Sequence, residues 1–146
     1  MDKNQSLQKL IRWSLAFVWL YHGLIPKILL KHADEQQLVR EAGLSEDLVI
    51  PMVYTGGAIE IALALIMILF WKHKWPYYLT IVCMIAAFLG AVVNSPQYLG
   101  AAFNPVSLNF CVIVLAILGL KLSEEAVQAE HASPKDPTAP TIPQST

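Results

Sequence analysis

The sequence predicts an all-α integral membrane protein: a four-helix bundle with a short non-cytoplasmic surface helix and a disordered C-terminal tail. Three observations predict it. Hydrophobic residues make up 55% of the 146-residue chain. Asp, Glu, Lys and Arg make up only 14%, against roughly 25% in soluble domains. The apolar residues are also gathered into long runs without two-residue alternation, which reads as helices rather than barrel strands. The net charge of −1 leaves no basic excess to attract nucleic acid. Two cysteines make neither a disulfide framework nor a zinc ribbon. Composition therefore argues against a soluble enzyme, a disordered chain and a nucleic-acid binder.

The elements follow in order. The first span is expected over residues 10–30, interrupted by Arg12, His22 and Lys27. No small-x-small cleavage site follows it, so it reads as a retained span and not as a signal peptide. Residues 31–50 read as a short surface helix, with Asp34 as N-cap, Gln37 as its capping-box partner and Gly43 as the stop. Leu38, Val39 and Ala42 would form its inward face. Ser45-Glu46-Asp47 is a further start signal. The second span is expected over 52–71, or earlier if that signal is used. The third covers 76–93, with Pro76 suited to a first helical turn. The fourth covers 105–120. Each run approaches the roughly 20 residues that a hydrocarbon layer requires. From 123 to 146 the chain turns polar, with Glu124, Glu125 and Glu130 prolonging the helix only briefly. Pro134, Pro137, Pro140 and Pro143 then mark a disordered tail.

Lys and Arg set the expected orientation. Lys3, Lys9, Arg12, Lys72, Lys74, Lys121 and Lys135 fall on one side, against Lys27, Lys31 and Arg40 on the other. Both termini are therefore expected in the cytoplasm, with the chain in a bacterial inner membrane. Trp71, Trp75, Tyr77 and Tyr78 would form the aromatic belt at that interface.

Ionisable groups inside spans cost about 2.5–3.5 kcal/mol on insertion scales and usually turn inward in pairs. Here they are His22, Lys27 and Glu60, joined by the amides Asn94, Asn104 and Asn109. By the helical rise, His22 and Glu60 each lie roughly 12 Å from the outer end of their spans and can meet. An earlier start of the second span weakens that pairing. Lys27, one turn above His22, either reaches Glu60 or snorkels outward. Gly56 and Ala64, and Ala86 and Gly90, place small residues on the faces that carry the polar groups. The cluster reads in three ways: hydrogen-bonded helix glue, a pocket for a polar head group such as a quinone or another small amphiphile, or a proton or ion path. His22 and Glu60 alone are too few ligands for a metal. Cys83 and Cys111 differ in depth by about 10 Å, so no redox pair is expected.

Several motifs carry a resemblance. They are Trp19-Leu20-Tyr21-His22-Gly23-Leu24-Ile25-Pro26-Lys27 followed by His32-Ala33-Asp34-Glu35, then Tyr54-Thr55-Gly56-Gly57-Ala58-Ile59-Glu60, then Phe103-Asn104-Pro105-Val106-Ser107-Leu108-Asn109. In this order the chain resembles the DoxX-like membrane proteins over roughly residues 10–120. The resemblance implies a compact four-helix membrane bundle. Some members of the wider family resemble subunits of thiosulfate:quinone oxidoreductases, and others associate with membrane redox systems.

The combined expectation is an accessory or small-ligand-binding subunit with an outer-half polar pocket. The ligand would be quinone-like or lipid-like and the partner a membrane redox or lipid enzyme. Lys27 would hold an anionic or carbonyl oxygen, Glu60 and His22 would shuttle a proton, and the asparagines would orient the polar end. The alternatives are a subunit of a quinone-coupled oxidoreductase and a structural or assembly partner without a ligand. The sequence assigns no cofactor and no oligomeric state.

Overall fold

A computed structural model describes residues 3–101 and 104–132. Its elements are α1 (Lys3–His22), a π-helical continuation (Gly23–Leu29), α2 (Ala33–Glu41), α3 (Glu46–Leu69), α4 (Trp75–Asn94), a 3-10 segment (Pro96–Gly100) and α5 (Pro105–Ala132). The described residues contain no strand.

Each long helix buries a stripe spaced three or four residues apart, which is the face a packed helix presents. In α1 the stripe is Ile11, Arg12, Leu15, Ala16 and Trp19. In α3 it is Val53, Gly57, Ala64 and Met67. Tyr77, Thr80, Met84 and Ala91 form it in α4. Asn109, Val112, Ala116, Leu120 and Ser123 form it in α5. The outward faces carry exposed Phe17, Leu65, Leu69, Val82, Leu89 and Phe110, a surface suited to lipid and not to water. α1 packs on α3 and α5, and α4 packs on α5. The contact between α3 and α4 is the loosest of the four seams.

Three helical stretches, Glu46–Leu69, Trp75–Asn94 and Pro105–Ala126, are each long and apolar enough to cross a membrane. A fourth span results when Asn4–Leu29 is taken together with α2, which leaves it at 91°.

The polar groups in these stripes close the bundle. Arg12, only 6% exposed, sits at the far end from α2. Its Nη1 donates to the carbonyls of Met67 and Phe70 at 3.0 Å each, and its Nη2 donates to that of His73 at 3.0 Å. The Met67 carbonyl lies in the last turn of α3, which leaves it without a helical partner, and those of Phe70 and His73 lie in the turn that follows. The guanidinium also lies 4.6 Å from the centre of the Tyr77 ring. Trp19 donates to Thr80 Oγ1 at 3.2 Å, and Gln8 donates to Ser123 Oγ at 2.6 Å.

Several boundaries differ from the sequence reading. α3 begins at Glu46 after Ser45, so the earlier start signal is the one used, and Pro51 lies in the opening turns. The N-cap of α2 is His32 and not Asp34: His32 Nδ1 accepts from the Asp34 N–H at 3.3 Å. Gln37 donates to Glu41 instead of closing a capping box. Gly43 ends the helix at φ +83°, a conformation that glycine adopts without a Cβ penalty. α5 continues through residues 123–132, the first part of the stretch read as tail. The Pro-rich segment 133–146 and Phe103 lie outside the described residues.

Candidate functional site

The site begins with a close crossing of two backbones. Gly23 opens the π-helical turn and Gly57 lies in the buried stripe of α3. A Cβ on Gly23 would stand 2.6 Å from the Gly57 carbonyl oxygen, and a Cβ on Gly57 would stand 2.8 Å from that of Gly23. Only glycine at both positions permits this approach. Pro26 explains the π-helical turn. It has no N–H for the carbonyl four residues back, and its ring crowds that carbonyl, so the helix widens. Residues four apart still share a face, so Lys27 follows Gly23 onto α3.

There Lys27 meets Glu60, three residues after Gly57. Lys27 Nζ donates to Glu60 Oε1 at 2.8 Å and to Oε2 at 2.9 Å. A second carboxylate, Glu35 Oε2 of α2, stands 3.3 Å from the same nitrogen. The Lys27 side chain is 14% exposed and both glutamates are 20% exposed. One ammonium is thus held between two carboxylates from different elements, hydrogen-bonded to Glu60 and ion-paired with Glu35.

α2 lies across this end of the bundle on polar contacts. None of its residues is buried. Arg40 Nε donates to both oxygens of Glu46 at the start of α3, at 2.9 and 3.1 Å. Glu41 accepts from the Ser95 hydroxyl at the end of α4 and from Gln97 Nε2 at 2.7 Å. Ser95 itself is fully buried. Ser95 foremost, then Gln37 and Gln97, hold the Glu41 carboxyl below its ordinary value by donating to it. Tyr98 in the 3-10 segment is pushed the other way, by desolvation and by the charges of Asp34, Glu41 and Glu35.

The other sequence candidates fall elsewhere. His22 is half-buried, packs edge-on against Tyr21 at 6.2 Å and makes no hydrogen bond to Glu60. The early start of α3 shifts Glu60 along its span, and Lys27 takes the carboxylate. Asn94 is exposed, and its amide donates back to Gly90 O at 3.0 Å. Asn104 is the cap of α5, with Oδ1 accepting from the Ser107 N–H at 3.0 Å. Asn109 is buried in the α5 stripe and makes no side-chain hydrogen bond among the described residues. Ala86 is exposed and a Cβ on Gly90 would meet nothing within 4 Å, so this small pair lies away from the packed faces. Cys83 and Cys111 are free. Among the described residues no group of three or more His, Cys, Asp or Glu could hold a metal. An apolar groove of about 270 Å³ lies between α1 and α5, lined by Leu7, Ile11, Ser14, Leu115 and Leu122, away from the ion cluster.

The sequence reading missed Glu35 and the clamp of Arg12. Glu35 was legible as the residue after the Asp34 start signal, but nothing in its spacing aims it at Lys27.

Fold and site together define a multi-pass helical membrane protein with an ionic cluster at a glycine-mediated helix crossing. The model of the DoxX-like family matches residues 16–117, from the middle of α1 into α5, and the chain belongs to that family. No curated protein and no solved structure matches it.

Proposed function

We propose that the protein is an accessory membrane protein that binds a small quinone-like or lipid-like amphiphile. The polar end would lie at Lys27 and Glu60 beneath α2, and the tail would lie among the apolar helices. The observation that carries this reading is the Lys27–Glu60 pair at 2.8 Å with Glu35 as a second acid. Gly23 and Gly57 bring the two backbones close at the same level, so the pair sits at a tight helix crossing. Charges within apolar runs are costly and usually mark a binding or transfer site. Lys27 would supply N–H to an anionic or carbonyl oxygen, and Glu60 would accept or return a proton. His22, one turn below Lys27, is the next proton carrier along α1.

The partner in this reading is a membrane redox or lipid-metabolising enzyme, and a quinone-coupled oxidoreductase subunit would use the same pair. The Lys and Arg distribution supports a bacterial inner-membrane location with both termini in the cytoplasm. The rival reading is a purely structural or assembly role, which the same α1–α3 bridge also suits.

Purification in mild detergent followed by solvent extraction tests the proposal. Wild type should carry a stoichiometric quinone or lipid, and Lys27→Met and Glu60→Gln should each lose it. Equal retention in both variants rejects the site. Equal retention with lowered thermal stability supports the structural role.

A further inference from the structure

Glu35 reaches Lys27 from outside the span, and its contact differs from that of Glu60. Glu60 takes the ammonium with both oxygens, at 2.8 and 2.9 Å. Glu35 uses one oxygen at 3.3 Å. It also arrives on a helix that has no fully buried residue, with Leu38 and Val39 only half-buried. Lys31, between the π-helical turn and α2, has φ +48°, so the chain turns sharply before the helix starts. At its other end α2 is held by Glu41 on Ser95 and Gln97, and by Arg40 on Glu46. The helix is therefore a strap across the end of the bundle, fastened by ionic and hydrogen-bonded contacts at both ends.

We infer that Glu35 is an internal competitor for the site. Its carboxylate occupies the Lys27 position that a ligand's anionic or carbonyl oxygen takes, and binding requires α2 to swing away. This rests on the proposed ligand site at Lys27 and Glu60. The geometry gives the reason for displacement at this contact and not at the other. A single oxygen at 3.3 Å on an unburied helix yields before a two-oxygen contact between closely packed helices. A ligand oxygen then restores the third contact of the ammonium, so no N–H group is stranded. α2 controls access by exchanging one acceptor for another.

The test uses the full chain in detergent with a decyl-substituted benzoquinone as probe, together with hydrogen exchange resolved to α2. Glu35→Gln removes the competing charge. It should bind the probe on the order of tenfold tighter than wild type, because occupancy of the closed state no longer taxes binding. Exchange should rise over residues 33–41 and stay unchanged in α3. Glu41→Gln, at the distant fastening, should raise the same exchange and tighten binding in the same direction, although it touches neither Lys27 nor the ligand. Unchanged or weaker binding by Glu35→Gln overturns the inference, as does unchanged exchange in α2. If wild type binds the probe and Glu35→Gln gains nothing, the ligand site stands and only the competitor role fails. If neither binds, the quinone form of the ligand site fails and the competitor role with it.

Discussion

Gly23 and Gly57 set the distance at which Lys27 and Glu60 meet. A methyl on either would press on a backbone carbonyl, which does not yield as a side-chain tip does. Gly57→Ala and Gly23→Ala should each cost about 1–3 kcal/mol through overpacking. Thermal denaturation in detergent measures this. Gly90→Ala is the control, since its Cβ would meet nothing within 4 Å. It should change stability by no more than about 0.5 kcal/mol. At the other end, Arg12 satisfies three carbonyls with one planar fork. Arg12→Lys cannot reproduce that fork and should lower stability by about 2–4 kcal/mol despite keeping the charge. A wild-type melting temperature in Arg12→Lys would show that the carbonyls find other donors. Of the residues named from sequence, Lys27 and Glu60 were legible because charges inside apolar runs stand out. Arg12 was equally visible, but its role depends on where the end of α3 lies in space. The three asparagines looked alike in sequence. One is exposed and bonded to its own helix, one is a cap and one is buried, because the facing of a helix end is decided by tertiary packing.

Among the elements, the long helices were the most legible, since an apolar run must satisfy its backbone internally and only a helix does so within one segment. The π-helical turn was less so, although Pro26 was its visible cause. α2 was expected from its start and stop signals. Its fastening was not, because Glu41 and Ser95 are far apart in sequence and meet only when α2 folds back over α4. That contact makes a pH prediction. The Glu41 carboxyl is held below its ordinary value of 4.5, chiefly by the Ser95 hydroxyl. A carboxyl lowered in the folded state stabilises it above the unfolded value, and that contribution is lost as pH falls through the folded value. Protection of α2 amides, corrected for intrinsic exchange, should therefore be full near neutrality and decline below about 4.5. The groups around this fastening are Asp34 and Glu35 on α2, Tyr98 on the 3-10 segment, Lys27, and the Arg40–Glu46 pair. Glu41→Gln should flatten the acid response. If the variant keeps the same decline, the Glu41–Ser95 contact is not its cause.

At the scale of the whole molecule the two ends of the bundle differ in a way that predicts orientation. Four crossings would place the start of α1, the α3–α4 turn and the end of α5 on one side, with α2 and the ion cluster on the other. The two sides differ in kind. The α3–α4 turn carries Lys72 and Lys74 with Trp71 and Trp75, and α1 and α5 add Lys9 and Lys121. The α2 side mixes Lys31 and Arg40 with Asp34, Glu35, Glu41, Glu46 and Asp47. Only Lys and Arg weigh strongly in orientation, and the acids contribute little. The basic excess at the α3–α4 turn therefore predicts that this turn faces the cytoplasm and that α2 and the ion cluster face away from it. Two exposed positions suit a labelling test, His73 in the turn and Asp47 at the start of α3. In a background with Cys83 and Cys111 replaced by Ala, Asp47→Cys should react with a membrane-impermeant maleimide on intact spheroplasts. His73→Cys should react only after the membrane is opened. The reverse pattern would place the ion cluster on the cytoplasmic side, where its ligand would have to come from the cytoplasmic leaflet. Labelling of both positions from outside would mean that α3, which separates them, does not cross the membrane, against its length and apolar composition.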